Sequence, residues 1–353
     1  MAKIDVSQSV EMLRPYASNL SGKKIICTGT NGFLGKWVVR IIAKLNSEIL
    51  SEPCKLVAVD VSKPSQEEIV DIGGGENITY ISHNLTERFK GMFESRFDYV
   101  IHMAGIASPH HYKIKPLQTI DVALEGSRGM LEIAREHDAR YLFCSSSEVY
   151  QTATENPTPE TYVGAIPSDT SRSCYDVSKL MGETLAHVYG DQFKVDTGII
   201  RIFNSMGPGL VEADHRILPR IASSIVRNKK LEVFVNKVMP SRTYCPVANT
   251  AAGLFLTLIN GRPGQIYNIG LDTPELTVVE LIERIQQNLK LKIDWSISSA
   301  PEVYSSEPLR RCPDITKARS EIGYEPIVSL DVGLKNFFDW ALEEYPKIKS
   351  DAI

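Results

Sequence analysis

The stretch Lys24-Ile25-Ile26-Cys27-Thr28-Gly29-Thr30-Asn31-Gly32-Phe33-Leu34-Gly35 decides the fold of this chain. A short apolar run stopped by glycine reads as a β-strand, and the apolar spacing that continues to Leu45 reads as a helix. The three glycines between them have separate uses. Gly29 allows the tight turn, Gly32 lets the backbone approach a pyrophosphate, and Gly35 lets helix pack closely on strand. Free N–H groups at the helix start then meet the phosphate charge, with Asn31, Phe33 and Leu34 in the same turn.

A second strand, Lys55-Leu56-Val57-Ala58-Val59, ends at Asp60, 25 residues beyond Gly35. A carboxylate there accepts both hydroxyls of an adenosine ribose and repels a 2′-phosphate. This favours NAD over NADP, although Lys63 lies nearby. Further strand-like runs cover 78–81, 99–102, 140–144 and 198–202, alternating with helical stretches around 115–137 and 175–190. Such alternation predicts a Rossmann-type α/β fold, a doubly wound parallel sheet with helices on both faces. Ligands bind such sheets at the carboxyl ends of the strands. Gly29, Asp60, Ala104-Gly105, Ser145–Glu148 and Asn204 stand at those ends. The expected NAD site takes in Ala104, Gly105 and Ser145 together with Asn84, Leu85, Met103, Tyr175 and Lys179.

Tyr175 and Lys179 are four residues apart, one helical turn on the same face. A free tyrosine, with a pKa of about 10, is too weak an acid to serve as a base near neutrality. A neighbouring ammonium favours the phenolate, which is how such a pair can draw a proton from a sugar hydroxyl, though Tyr and Lys at this spacing are common on helix surfaces. Ser145-Ser146-Ser147-Glu148-Val149-Tyr150 ends the strand before it.

After Pro208 the texture changes. Residues 206–242 read as loop and helix carrying Arg216, Arg220, Arg227, Lys229, Lys230, Lys237 and Arg242. A helix over 249–259 and a strand over 265–269 rejoin the main sheet, and a helix at 277–289 and the Leu309–Ile315 segment follow. The expected division is an N-terminal helical extension (1–21), a dinucleotide-binding domain (22–205 plus 243–270), and a smaller discontinuous domain (206–242 plus 271–345). Spaced arginines there suit a diphosphate by charge-assisted bonds.

The net charge of -4 over 353 residues gives no sign of a nucleic-acid or anionic-membrane partner. No apolar run approaches membrane-spanning length, and residues 1–20 lack the signal-peptide pattern. Six scattered cysteines (27, 54, 144, 174, 245, 312) without a Cys-x-x-Cys pair read as reduced thiols, and a cytoplasmic location is expected. Cys174, beside Tyr175, is either a reactive thiol or a small packing residue. No His, Cys, Asp and Glu set has metal spacing, so no metal is expected.

Together these residues resemble the extended short-chain dehydrogenase/reductase superfamily over about 23–340, on the Thr-Gly-x-x-Gly-Phe-x-Gly turn (Thr28–Gly35) and Tyr-x-x-x-Lys (Tyr175, Lys179). The resemblance implies a seven-stranded NAD domain, a nucleotide-sugar substrate and a homodimer built on a four-helix bundle. His102–Tyr112, with Ser108-Pro109-His110-His111-Tyr112, is similar to a segment of UDP-glucuronate decarboxylases. So are Ser146–Tyr150 and Arg172-Ser173-Cys174-Tyr175-Asp176. Asn204-Ser205-Met206-Gly207-Pro208 and Val177-Ser178-Lys179 lean toward the decarboxylase domain of the polymyxin-resistance enzyme.

The resemblance assigns Tyr175, Lys179, Ser146, Ser147, Glu148 and Arg311 to catalysis, and Ser108, Tyr112, Glu148, Asn204, Arg216, Arg242 and Arg311 to the substrate. The implied reaction oxidises C4 of UDP-glucuronate and releases carbon dioxide, with Glu148 and Arg311 handling the C5 proton. A 4,6-dehydratase of the GDP-mannose type, a 4-epimerase, and a silent NAD- or sugar-nucleotide-binding regulator use the same frame. The chain departs from the decarboxylases at Asp121–Ser127, Asn84, Ser146, Gln151, Pro246 and Asn249.

Overall fold

The computed structural model describes residues 3–73, 75–87, 93, 95–235, 238–299 and 308–348. Lys237, one of the basic residues noted above, lies outside them. Seven strands form one sheet: β1 (Lys24–Thr28), β2 (Lys55–Asp60), β3 (Ile78–Ser82), β4 (Tyr99–His102), β5 (Arg140–Ser146), β6 (Thr197–Ile202) and β7 (Gln265–Ile269). Their order is β7-β6-β5-β4-β1-β2-β3, every pair parallel. The expected doubly wound α/β fold is what the chain adopts. The order reverses between β1 and β4, and a crevice opens there at the carboxyl edge.

The central strands read as unbroken apolar runs because both faces are covered. On one face, Ile25, Cys27, Leu56 and Ile101 pack with the helix α1 (Ser7–Leu13), the helix α2 (Phe33–Glu48) and the helix Val247–Asn260. On the other, Ile26, Val59, Val100 and Phe143 pack against residues of the helices Pro116–His137 and Ser173–Phe193. Ser9 Oγ donates to Ala248 O at 2.8 Å, so α1 is tied onto the Val247–Asn260 helix as well as packed on it.

A second core gathers Leu218, Ile221, Leu231, Leu281, Ile285, Phe337 and Phe338 from the later part of the chain. It contains a pairing that periodicity did not reveal: Leu231–Val235 runs parallel to Trp295–Ser299, 64 residues later. Residues 206–242 are therefore not only loop and helix. Short strands such as these leave little periodic signal to read. A third small sheet sets Ser241–Arg242 between Leu276–Thr277 and Arg310–Arg311.

Asn249 is fully buried, and its amide accepts from Val328 N at 3.0 Å and donates to Val328 O at 2.8 Å. The side chain thus completes both backbone groups of a buried residue, a role an aspartate could fill only by half. Asn249→Asp leaves the Val328 carbonyl without its donor and buries a charge beside it. We expect a loss of about 2–4 kcal/mol in urea unfolding, with the slope unchanged.

Candidate active site

The crevice at the carboxyl edge widens into a cleft of about 730 Å³. Its floor is the β1–α2 turn. Gly29 has φ +77°, and a Cβ on Gly35 would lie 2.1 Å from Gly29 O, so the turn closes only with glycine there. The helix α2 starts at Gly32 with no side-chain cap, leaving its first N–H groups for a ligand. At the end of β2, Asp60 accepts from Asn31 N at 2.9 Å and from Val61 N at 2.8 Å, which fixes the carboxylate in the cleft wall. Asn84, Leu85, Met103, Ala104 and Gly105 line the same end.

Tyr175 sits in the first turn of the Ser173–Phe193 helix, its ring stacked on Tyr112 at 5.1 Å between centroids and 7° between planes. Lys179 Nζ donates to Cys144 O at 2.8 Å and lies 5.8 Å from the Tyr175 ring centroid. The expected lowering of the tyrosine by the lysine is not what these contacts produce. Burial pushes Tyr175 up to about 12, and the main opposition is a hydrogen bond with Ser146. Burial also brings Lys179 down to about 8. Both residues are closed off from water, so each resists its charged form. His102, which pairs with Thr28 Oγ1 at 2.8 Å, is brought down to about 3 by burial and then by Lys179, and is a neutral strut at the strand end.

Ser146–Tyr150 turns sharply off β5, and Ser146 Oγ accepts from Glu148 N at 3.3 Å. Glu148 Oε2 receives both Arg172 Nη2 and Arg311 Nη2, while Arg311 Nη1 donates to Ser147 Oγ at 3.0 Å. Burial opposes the charge, but Arg311 and then Arg172 outweigh it and hold Glu148 down at about 2. Three backbone links carry Arg311 there. Arg310–Arg311 pairs with Ser241–Arg242, Thr243 N donates to Arg311 O at 3.0 Å, and Thr158 N donates to Cys312 O at 2.8 Å.

Of the expected site residues, only Arg242 and Arg311 fall outside the cleft lining. Arg311 is buried behind Glu148, and Arg242 donates to the carbonyls of Ser241, Pro308 and Leu309. Ser145 lines the cleft with its hydroxyl turned away, donating to Glu183, whose carboxylate pairs with Arg201 at 2.7 Å beneath the site. Ser108 Oγ donates to Asp214 O at 2.8 Å, which brings the 206–216 stretch against the cleft. Asp214 in turn holds Arg216 at 2.9 Å, and Arg216 lines the opening along with Asn204. Sequence reasoning gave no role to Arg172, Asp176 or Glu183. Their signal was faint, since all lie at or within the Ser173–Phe193 helix and bond to residues 18 to 38 positions away: Arg172 to Glu148, Asp176 to Gln151, Glu183 to Arg201 and Ser145.

A model of the NAD-dependent epimerase/dehydratase family matches residues 25–270. The chain belongs to that family. UDP-glucuronic acid decarboxylase 5 of Arabidopsis thaliana is 32% identical over 316 residues, 89% of this chain and 88% of its own. UDP-glucuronic acid decarboxylase 1 of Xenopus tropicalis is 28% identical over 93% of this chain and 74% of its own. Among solved structures, a dTDP-glucose 4,6-dehydratase of Streptomyces venezuelae, with NAD and TYD bound, superposes with a TM-score of 0.80 at 21% identity, covering 92% of this chain and 99% of that one. UDP-glucuronic acid 4-epimerase of Bacillus cereus, in complex with UDP-glucuronic acid and NAD, gives 0.75 at 22%, covering 91% and 99%. These two structures share the fold.

NAD is the cofactor of this epimerase/dehydratase family member, and the cleft suits it. The glycine turn places no side chain where a pyrophosphate would lie, and its backbone closes tightly only with glycine at 29 and 35. Uncapped N–H groups face the cleft, and Asp60 is fixed where a ribose would lie. Tyr175→Phe should keep NAD affinity and lower turnover by about 10²–10⁴, read by steady-state kinetics beside NAD titration. Ser146→Ala removes the main opposition to burial at Tyr175. The alkaline rise of kcat/KM should then move to higher pH. The rate at neutrality should fall with it, about tenfold for a rise displaced by one pH unit.

Proposed function

We propose that this enzyme oxidises UDP-glucuronate at C4 and decarboxylates it, giving UDP-xylose or the UDP-4-keto-pentose. NAD supplies a reversible hydride acceptor for C4. Tyr175 takes the C4 hydroxyl proton, with Ser146 positioned to hold the phenolate oxygen. The C4 ketone makes the sugar a β-keto acid, and carbon dioxide leaves as the C5–C6 electrons pass into an enolate at C4. Protonated Tyr175 and Ser146 stabilise that enolate as preorganised donors. C5 then receives a proton by way of water at Glu148, whose Oε1 accepts no hydrogen bond from the described residues. Arg311 acts from behind the cleft wall through Glu148 and Ser147. Ser108, Tyr112, Asn204 and Arg216 hold the nucleotide sugar, and Arg242 braces the 308–309 backbone behind it.

The observation that carries this choice is the pair of guanidinium groups on one oxygen of Glu148. A carboxylate held near 2 is a poor base, since proton abstraction weakens as the pKa of the base falls. A 4,6-dehydratase needs a base at C5. Decarboxylation does not, because the electrons come from the breaking C–C bond. The curated relatives at 31–32% identity support the same reading. A division into a dinucleotide-binding part (22–205 plus 243–270) and a sugar-binding part (206–242 plus 271–345) behind the 1–21 extension belongs to the proposal. A cytoplasmic location does too, supported by six free cysteines. Among the described residues no helix is long and apolar enough to cross a membrane.

We also propose that two copies pair through the helices Pro116–His137 and Ser173–Phe193. Leu117, Ile120, Val177, Leu180 and Met181 are exposed on this helix pair, an apolar stripe that suits a second copy related by a twofold axis. Light scattering should give twice the chain mass, and Leu180→Asp with Met181→Asp should give the monomer. Incubation with NAD and UDP-glucuronate should release one carbon dioxide per sugar nucleotide, with a pentose or 4-keto-pentose product by mass. An isomer of unchanged mass would make the enzyme an epimerase. No reaction with UDP-glucuronate, but loss of water from a GDP-, dTDP- or CDP-hexose, would make it a dehydratase.

A further inference from the structure

Gln151 closes the Ser147–Tyr150 turn with φ 51° and ψ −135°, a backbone conformation that favours glycine. Strain of this kind persists where surrounding contacts impose it. The contacts are visible. Gln151 Nε2 donates to Asp176 Oδ2 and reaches Glu148 O at 3.5 Å. Asp176, one helix residue past Tyr175, is buried, and its Oδ2 lies 3.8 Å from Arg172 Nε. Its other oxygen, Oδ1, is buried with no hydrogen-bond partner, and so is Arg172 Nε.

Two carboxylates and two guanidinium groups therefore share one enclosed cluster: Glu148, Asp176, Arg172 and Arg311. The other titratable groups facing Asp176 are Tyr175 and Cys174 on its own helix and Tyr112 from the Pro109–Ile114 helix. With both acids ionised the four charges cancel, and with Asp176 protonated the cluster carries +1. Glu148 cannot take the proton easily, because both arginines lie on its Oε2. Asp176 has the weaker pairing and the bare buried oxygen. Burial, and then Glu148, raises it to about 6.

We propose that Asp176, braced by Gln151, is the proton-linked positioning residue of this site: a substrate carboxylate entering beside Glu148 drives Asp176 to take one proton from solvent. The cluster then passes from neutral to +1 and matches the incoming charge, while Glu148 stays ionised. This rests on the reading that the substrate is an acidic sugar nucleotide. An added negative charge raises the pKa of a nearby acid, so uptake is expected from about pH 6 upward.

The test is calorimetry on the full-length, NAD-loaded Tyr175→Phe protein, with turnover suppressed. UDP-glucuronate and the neutral UDP-xylose are titrated from pH 5 to 8, in buffers of different ionisation enthalpy. UDP-glucuronate should bind with uptake of about one proton above pH 6, and its affinity should fall about tenfold per pH unit there. UDP-xylose should show neither. Adding Asp176→Asn should abolish the uptake and flatten the pH dependence. Gln151→Gly suits the backbone and removes the bond that favours the charged acid, so the uptake should begin at higher pH.

UDP-glucuronate binding without proton uptake, or uptake unchanged in the Asp176→Asn and Gln151→Gly proteins, overturns the inference and leaves the decarboxylase reading standing. Binding of UDP-xylose but not of UDP-glucuronate overturns that reading, and the linkage with it.

Discussion

Arg311 and Glu148 are 163 residues apart in the chain, and their contact organises the end of the cleft proposed to take the sugar. Glu148 is largely withdrawn into the cleft wall, its side chain 19% exposed, and a carboxylate so placed is stable only when paired and hydrogen-bonded. Arg172 meets one side of its Oε2 from the helix that carries Tyr175, and Arg311 meets it from the short sheet built on Ser241–Arg242. Breaking a buried pair of this type costs about 3–5 kcal/mol, because it strands the remaining charge. The contact thus binds the parallel sheet, the Ser173–Phe193 helix and the later segment around 308–315 into one arrangement. Its chemical effect is to keep Glu148 ionised and weakly basic.

The same burial acts on Tyr175 and Lys179. Tyr175 is packed on Tyr112, and Lys179 is held by Cys144 O with no bond to the phenol. Enclosure raises the tyrosine and lowers the lysine, so the protein alone leaves the phenol protonated at neutrality. Ser146 is the main group that pulls the other way, ahead of Arg216, and it also caps the turn that sets Glu148. One serine therefore links Tyr175, the proposed acid–base residue, to the Glu148 carboxylate.

The Rossmann frame is legible in the sequence because its signals are local. Strand, glycine turn and helix follow one another in Lys24–Leu45, and Asp60 ends the next strand at the expected place. Nearly every residue assigned to the cleft lines it, since strand ends in a parallel sheet converge on one rim. What the sequence hid depends on long-range pairing. Leu231–Val235 needs a partner 64 residues on, and Arg311 reaches Glu148 through links to Thr158 and Thr243 rather than by lining the cleft. Gln151 and Asn249 stood out only as unusual residues. The structure gives each a task, one as a brace for Asp176 and the other as the partner of Val328.

The most direct test of decarboxylation without a base at C5 is to run the enzyme with NAD and UDP-glucuronate in D₂O and examine the product by NMR. A weakly basic Glu148 predicts one deuteron at C5, none at C4, and a C6 carboxylate missing from every deuterated molecule. Deuterium at C5 in sugar that still keeps its carboxylate would mean that a base removes the C5 proton, and would contradict it.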